Sequence, residues 1–210
     1  MEVAVELESR HLRVIVLYAD FVGSAETVKS LSPKERKHLY SALLGEMAHV
    51  VEDFGGAVLK YMEACVVGFF VLPTAGWTQQ IDRALLCTEM MQKVMEHSVG
   101  PTVQLDRLPA MGCRIGIDCG DVQVVRVRVE GIFTEVDVFG DVVNASKKIC
   151  EEAESGEILM GKSLWQLLHA SHRIRCRKRT GLEGDEEPYD LYSLGHGQAD
   201  ACSEVNCPNV

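Results

Sequence analysis

No apolar run in the sequence is long enough to cross a membrane. The longest, Ala64–Leu72, has nine residues, against the roughly 20 that a bilayer needs. The opening MEVAVELESR carries acids where a secretion signal needs a basic start. A cytoplasmic chain with no membrane partner is therefore expected. None of the eight cysteines forms a Cys-x-x-Cys pair, which removes a common zinc and redox spacing. Cys65, Cys87, Cys113, Cys119, Cys150 and Cys176 sit in or beside apolar segments and read as buried, reduced thiols. No Lys or Arg follows Thr180, whereas seven acids do; the first 180 residues carry 21 basic against 24 acidic side chains. With the first 180 residues slightly acidic overall and the remainder strongly so, nucleic acid is not an expected partner. Internal repeats are also missing.

What is present is enough for a folded core. The chain has 210 residues, 47% hydrophobic and 25% charged, which suits one domain with trimmings. The reading is an extension over 1–11, a domain over 12–194, and an acidic tail over 195–210 that is expected to be disordered.

Leu12–Ala19 is β-rich and reads as a buried strand, ending in the polar turn Asp20-Phe21-Val22-Gly23-Ser24. Ser32-Pro33 opens a helix, and Leu39, Leu43, Met47, Val50 and Phe54 carry it to Gly55-Gly56. Ala57–Met62 and Cys65–Leu72 form a hairpin, and Trp77–His97 a second helix. Cys113–Asp118 and Val122–Val129 read as two strands separated by a turn at Gly120-Asp121. Strand Thr134–Phe139, helix Asp141–Glu152, strand Glu157–Met160, helix Ser163–Ala170 and strands Ile174–Arg177 and Tyr189–Leu194 follow. The order predicts an α+β fold with a ferredoxin-like βαββαβ core and extra C-terminal α and β elements. That fold alone names no function.

Four segments stand out: VIVLYADFVGSAE, LKYMEACVVGFF, RIGIDCGDV and VDVFGDVVNASKK. In this order and spacing the chain resembles the class III nucleotidyl cyclase family, the catalytic module of adenylate and guanylate cyclases, over about residues 12–194. The resemblance implies a dimer with shared sites. Two carboxylates on one chain hold two Mg2+ or Mn2+ ions on a nucleoside triphosphate, the ribose 3′-hydroxyl attacks the α-phosphate, and pyrophosphate leaves. Asp20 matches the first metal aspartate. The Phe21 carbonyl would be a further metal ligand, and backbone amides at Gly23 and Ser24 would face phosphate. Lys60 and Asp137 match the pair that reads adenine, Asn144 the residue that orients the ribose.

Three positions depart from the family pattern. Glu63-Ala64 stands where the family has Gly-Asp, so the second metal aspartate is an alanine. Glu63 lies one residue early, and neighbouring strand residues face opposite sides. Lys148 stands for the transition-state arginine, keeping charge but losing the planar fork. Thr180 stands for the triphosphate lysine, with Lys178 and Arg179 just upstream as candidate phosphate contacts; an acidic insert, Glu183–Glu187, follows. Arg173, Arg175, Arg177, Lys178 and Arg179 either bind phosphate or, the favoured reading, pair with the acidic segment that follows, and His169-x-x-His172 has no companion ligand nearby. The expectation is an adenylate-type cyclase domain acting on ATP or a related purine nucleotide, as a homodimer or with another cyclase-like chain, and with a degenerate metal site. The alternatives are a non-catalytic nucleotide-binding homologue or the metal-deficient half of a heterodimer.

Overall fold

The structure, a computed structural model, describes residues 5–23, 29–62, 64–101, 111–129, 133–182 and 189–195. These form one eight-stranded sheet in the order β2-β3-β1-β4-β6-β8-β7, with β5 paired to β4 off that path. The elements in chain order are β1 (Val5–Val22), α1 (Pro33–Asp53), β2 (Ala57–Met62), β3 (Cys65–Val71), α2 (Trp77–Val94) with a π turn over Met95–Val99, and β4 (Gly112–Val129). Then come β5 (Phe133–Phe139), α3 (Asp141–Glu152), β6 (Ile158–Gly161), the short helices α4 (Lys162–Trp165) and α5 (Ala170–Arg173), β7 (Cys176–Leu182) and β8 (Tyr189–Leu194). The β1-α1-β2-β3-α2-β4 segment forms the antiparallel order β2-β3-β1-β4, the expected ferredoxin-like core. No helix among the described residues is long and apolar enough to cross a membrane.

The centre of β1 is a continuous apolar run because both faces of the sheet are covered. Ile15, Leu17 and Ala19 pack with Leu39, Leu43 and Met47 of α1 and Ile81 and Leu85 of α2. Val14, Val16 and Tyr18 face the other way, with Val67, Val122, Val142 and Cys150. Strand parity therefore sends Asp20 to the α3 side. On β4 the same alternation puts Cys113, Ile115 and Ile117 in the α1–α2 core, so Arg114 and Gly116 face α3. At Gly116 the helix lies directly on the strand: a Cβ there would stand 2.3 Å from the Cys150 nitrogen and 2.4 Å from the Ser146 carbonyl oxygen. Ser146 fixes the contact by donating its hydroxyl to the Val16 carbonyl at 3.1 Å.

Helix α1 starts at a capping box. Ser32 Oγ accepts from the Glu35 amide, and the Glu35 carboxylate accepts from the Ser32 amide. Several expected boundaries differ. The turn at Gly120-Asp121 does not exist: β4 is one strand, with Gly120 opposite Val14 and Asp121 opposite Arg13 of β1. The turn-like composition serves packing instead, since Val142 of α3 sits over Gly120. Strand β1 begins at Val5 and keeps its ladder with β4 from there. The long second helix ends in a π turn, and the helix expected over Ser163–Ala170 is two short helices. The six described cysteines are unpaired thiols, five of them buried.

Candidate active site

Asp20 and Arg114 are direct cross-strand partners of β1 and β4. Asp20 Oδ2 accepts from Arg114 Nε at 2.9 Å and from Nη2 at 2.7 Å. Arg114 Nη1 also donates to the Glu151 carbonyl of α3 at 2.9 Å. The pair lines a cavity of about 380 Å³, together with Tyr18, Cys65, Lys147 and Cys150. Burial pushes the Cys65 and Cys150 thiols up to about 12, so both stay protonated near neutral pH. Burial also opposes the charge on Arg114, but the Asp20 contact more than offsets this and holds the guanidinium above its ordinary value. Lys147 Nζ lies 3.7 Å from Glu151 Oε1. Each cation of the cavity thus has its own carboxylate.

A second feature lies apart from this cavity. Lys60 of β2 and Asp137 of β5 stand on strands far apart in the sheet order, yet Lys60 Nζ is 3.7 Å from Asp137 Oδ1. That oxygen also accepts from the Val138 amide at 2.8 Å, which fixes the carboxyl. Both side chains are close to half exposed. An ion pair so exposed stabilises a fold by only about 0–1 kcal/mol, so stability alone gives little reason for it. Asn144 and Lys148 lie one turn apart on the exposed face of α3. It is Lys147, not Lys148, that lines the Asp20 cavity.

The family model for the adenylate and guanylate cyclase catalytic domain matches residues 7–195. The chain belongs to this family. Among relatives, the cytidylate cyclase of Escherichia coli is 24% identical over 193 residues, which cover 89% of this chain and 39% of that protein. The chain therefore spans well under half the length of that relative. Among solved structures, the adenylyl cyclase CyaB from P. aeruginosa superposes with a TM-score of 0.80 at 22% identity, over 93% of this chain and all of that one. The guanylyl cyclase Cya2 gives 0.78 at 24% identity, over 92% of this chain and 98% of that one.

Among the described residues, Asp20 is the one carboxylate at the two positions where the family resemblance places metal aspartates. Ala64 is partly buried, packs against the α1–α2 core, and gives its carbonyl to the Phe21 amide at 2.9 Å. Its methyl group offers no oxygen ligand. Asp20, the remaining carboxylate, already accepts two N–H groups from Arg114. Among the described residues no three His, Cys, Asp or Glu side chains converge on one point. The Phe21 side chain is buried in the core, and Gly23, exposed, follows the end of β1; Ser24 and Glu63 lie outside the described residues.

Lys178 and Arg179 are engaged within the fold. Lys178 Nζ is 2.8 Å from Asp190 Oδ1 on β8, and Arg179 Nη1 is 2.6 Å from Glu157 Oε2. Arg175 pairs with Glu89 of α2, and His172 with Asp82 at 2.8 Å. These cations thus meet acids, but the acids belong to α2, β8 and the approach to β6; the Glu183–Glu187 insert expected to pair with them lies outside the described residues. Sequence reasoning missed Arg114 and Lys147 as cavity residues. For Arg114 the signal was present: it opens RIGI and shares strand parity with Gly116, on the face where α3 docks.

Proposed function

We propose that this chain is the base- and ribose-reading half of a nucleotidyl cyclase site of the adenylate type. The observation that carries the reading is the Lys60–Asp137 pair, 3.7 Å apart and open to solvent. An ammonium only donates and a carboxylate only accepts. Adenine offers an acceptor at N1 beside an amino donor at N6, which complements the two groups. Guanine offers the reverse, a protonated N1 beside a carbonyl. Mispairing leaves polar groups unsatisfied at about 1–3 kcal/mol each, so ATP is preferred over GTP by about tenfold or more. Cytosine, with an acceptor at N3 beside an amino group at N4, presents the same edge as adenine; CTP is therefore the informative competitor, and the E. coli relative carries that base in its name.

Asn144 would orient the ribose and Lys148 would lend charge to the reacting phosphate, both from α3. The reaction assigned to the composite site is attack of the ribose 3′-hydroxyl on the α-phosphate with release of pyrophosphate. Lys60, Asp137, Asn144 and Lys148 stand apart from the Asp20 cavity, an arrangement suited to a dimer in which each site takes one half from each chain. Ala64 and the occupied Asp20 favour a second reading, a nucleotide-binding regulatory module that does not turn over. Titration with fluorescent ATP, displaced by ATP, CTP, GTP and UTP, tests the base assignment. Displacement by ATP and CTP ahead of GTP and UTP supports it, together with loss of that order in Lys60→Ala. Equal displacement by all four removes it.

A further inference from the structure

We propose that Arg114 is the resident cation of the Asp20 site: the carboxylate takes up no free divalent ion, and a nucleoside triphosphate docks beside it without one. The first clause stands on geometry alone; the second rests on the nucleotide reading above. Two N–H donors of one guanidinium converge on a single carboxylate oxygen, Asp20 Oδ2, in a charge-assisted ion pair. Here they measure 2.9 and 2.7 Å. The third contact, to the Glu151 carbonyl at 2.9 Å, uses the C-terminal turn of α3, where carbonyls lack helical partners and the helix dipole favours a cation. The guanidinium is therefore held from two elements. Register supplies the fourth constraint, because Asp20 and Arg114 face each other across the β1–β4 ladder.

Charge counting points the same way. A site for two divalent cations needs at least two carboxylates, and the residue at the second position is Ala64. The cavity holds Asp20 and Glu151 against Arg114 and Lys147. Both acids are paired, Asp20 with Arg114 and Glu151 with Lys147, so among the described lining residues no net negative charge is left to draw in a metal ion. With side-chain exposures of 24% and 29%, the Arg114–Asp20 pair is also less screened than a surface pair. A metal ion would have to evict a partner that stays charged at any working pH. A triphosphate meets the opposite situation. Arg114 retains two N–H groups and Lys147 two or more that the described contacts do not use, and all point to an anion rather than a cation.

The test uses the whole chain and two probes. Mn2+ alone is titrated while the signal of the free ion is followed by electron paramagnetic resonance, for wild type, Arg114→Met, Arg114→Lys and Arg114→Met with Asp20→Asn. Wild type should leave Mn2+ free up to millimolar concentrations. Arg114→Met should bind it at least about tenfold more tightly, equivalent to about 1.4 kcal/mol, and the added Asp20→Asn should abolish that gain. Arg114→Lys, which keeps the charge without the fork, should fall between them and serves if the methionine variant does not fold. Fluorescent ATP should bind wild type equally well in chelator and in Mn2+. Micromolar Mn2+ binding by wild type that is lost in Asp20→Asn overturns the inference and leaves the nucleotide reading standing. The expected Mn2+ results with no nucleotide binding under any condition overturn the nucleotide reading and leave Arg114 as the resident cation.

Discussion

Asp118 illustrates how a single buried carboxylate can be structural. It is 2% exposed. Its Oδ1 accepts from the Cys119 and Leu164 amides, both at 2.9 Å, and its Oδ2 from the Tyr189 hydroxyl at 2.6 Å. These bonds tie β4 to α4 and β8. Burial raises the carboxyl pKa and the three hydrogen bonds lower it; the net shift is upward from 3.8. A raised folded value means that the fold holds the proton more tightly than the unfolded chain does. The stabilisation is full below about 3.8 and is lost as pH rises through the folded value. Asp118→Asn keeps the Oδ1 acceptor and turns the other end into a donor toward Tyr189, whose hydroxyl can then donate to Ser163, 2.8 Å away. Denaturant unfolding at pH 5 and pH 8 should show Asp118→Asn within about 1 kcal/mol of wild type and with a smaller pH dependence, whereas Asp118→Leu strands the two amides at about 1–3 kcal/mol each. An asparagine variant as damaged as the leucine one, at both pH values, would contradict this.

Among elements, α3 does most to build the cavity. It reaches Arg114 only because Gly116 lets it lie on β4. Gly116→Ala would force a Cβ into helix backbone at 2.3 Å, so the helix itself must move; overpacking of this kind costs about 1–3 kcal/mol and occasionally more. A lowered unfolding midpoint with weakened nucleotide binding is expected, and unchanged stability would show that α3 docks elsewhere. The β2–β3 hairpin is the other decisive element. Glu63→Gly with Ala64→Asp restores the family pair, but the new carboxylate enters a partly buried place against the core. Such a change should lower stability in chelator by about 1–3 kcal/mol, and Mn2+ should recover it only while Asp20 is present, the second carboxylate supplying the charge that lets the ion displace Arg114. Thermal melts with and without Mn2+ read this directly; a variant indifferent to Mn2+ would mean that position 64 does not face the Asp20 site.

Elements were legible where their signal was local. The capping box at Ser32 and Glu35, the hairpin and the amphipathic α3 are all written in neighbouring residues. The unbroken β4 was not, because Gly120-Asp121 has turn composition and only the ladder to β1, more than 100 residues away, keeps it extended. Lys60 and Asp137 came from the family resemblance, and their 3.7 Å approach needs the whole sheet. The Asp20–Arg114 pair escaped reading for a related reason: strand parity gives the face, but register between distant strands selects the partner.

Across the whole molecule, the two halves of the proposed site are unequal. Light scattering should detect a dimer at high concentration, because neither Lys60 nor Asp137 lines the Asp20 cavity and the proposed site needs both; a strict monomer with and without nucleotide would count against a composite site. The most direct measurement is complementation. One species is the wild-type chain. The other carries Glu63→Gly and Ala64→Asp to restore the second carboxylate, with Lys60→Ala and Asp137→Ala to remove base reading. Each is assayed alone and mixed, with ATP and Mn2+, for cyclic AMP. Neither species alone should give product above background, and the mixture should give clear production, abolished by adding Asp20→Asn to the second species. Rapid turnover by the wild-type chain alone, or a silent mixture of two folded and associating chains, would contradict the composite site.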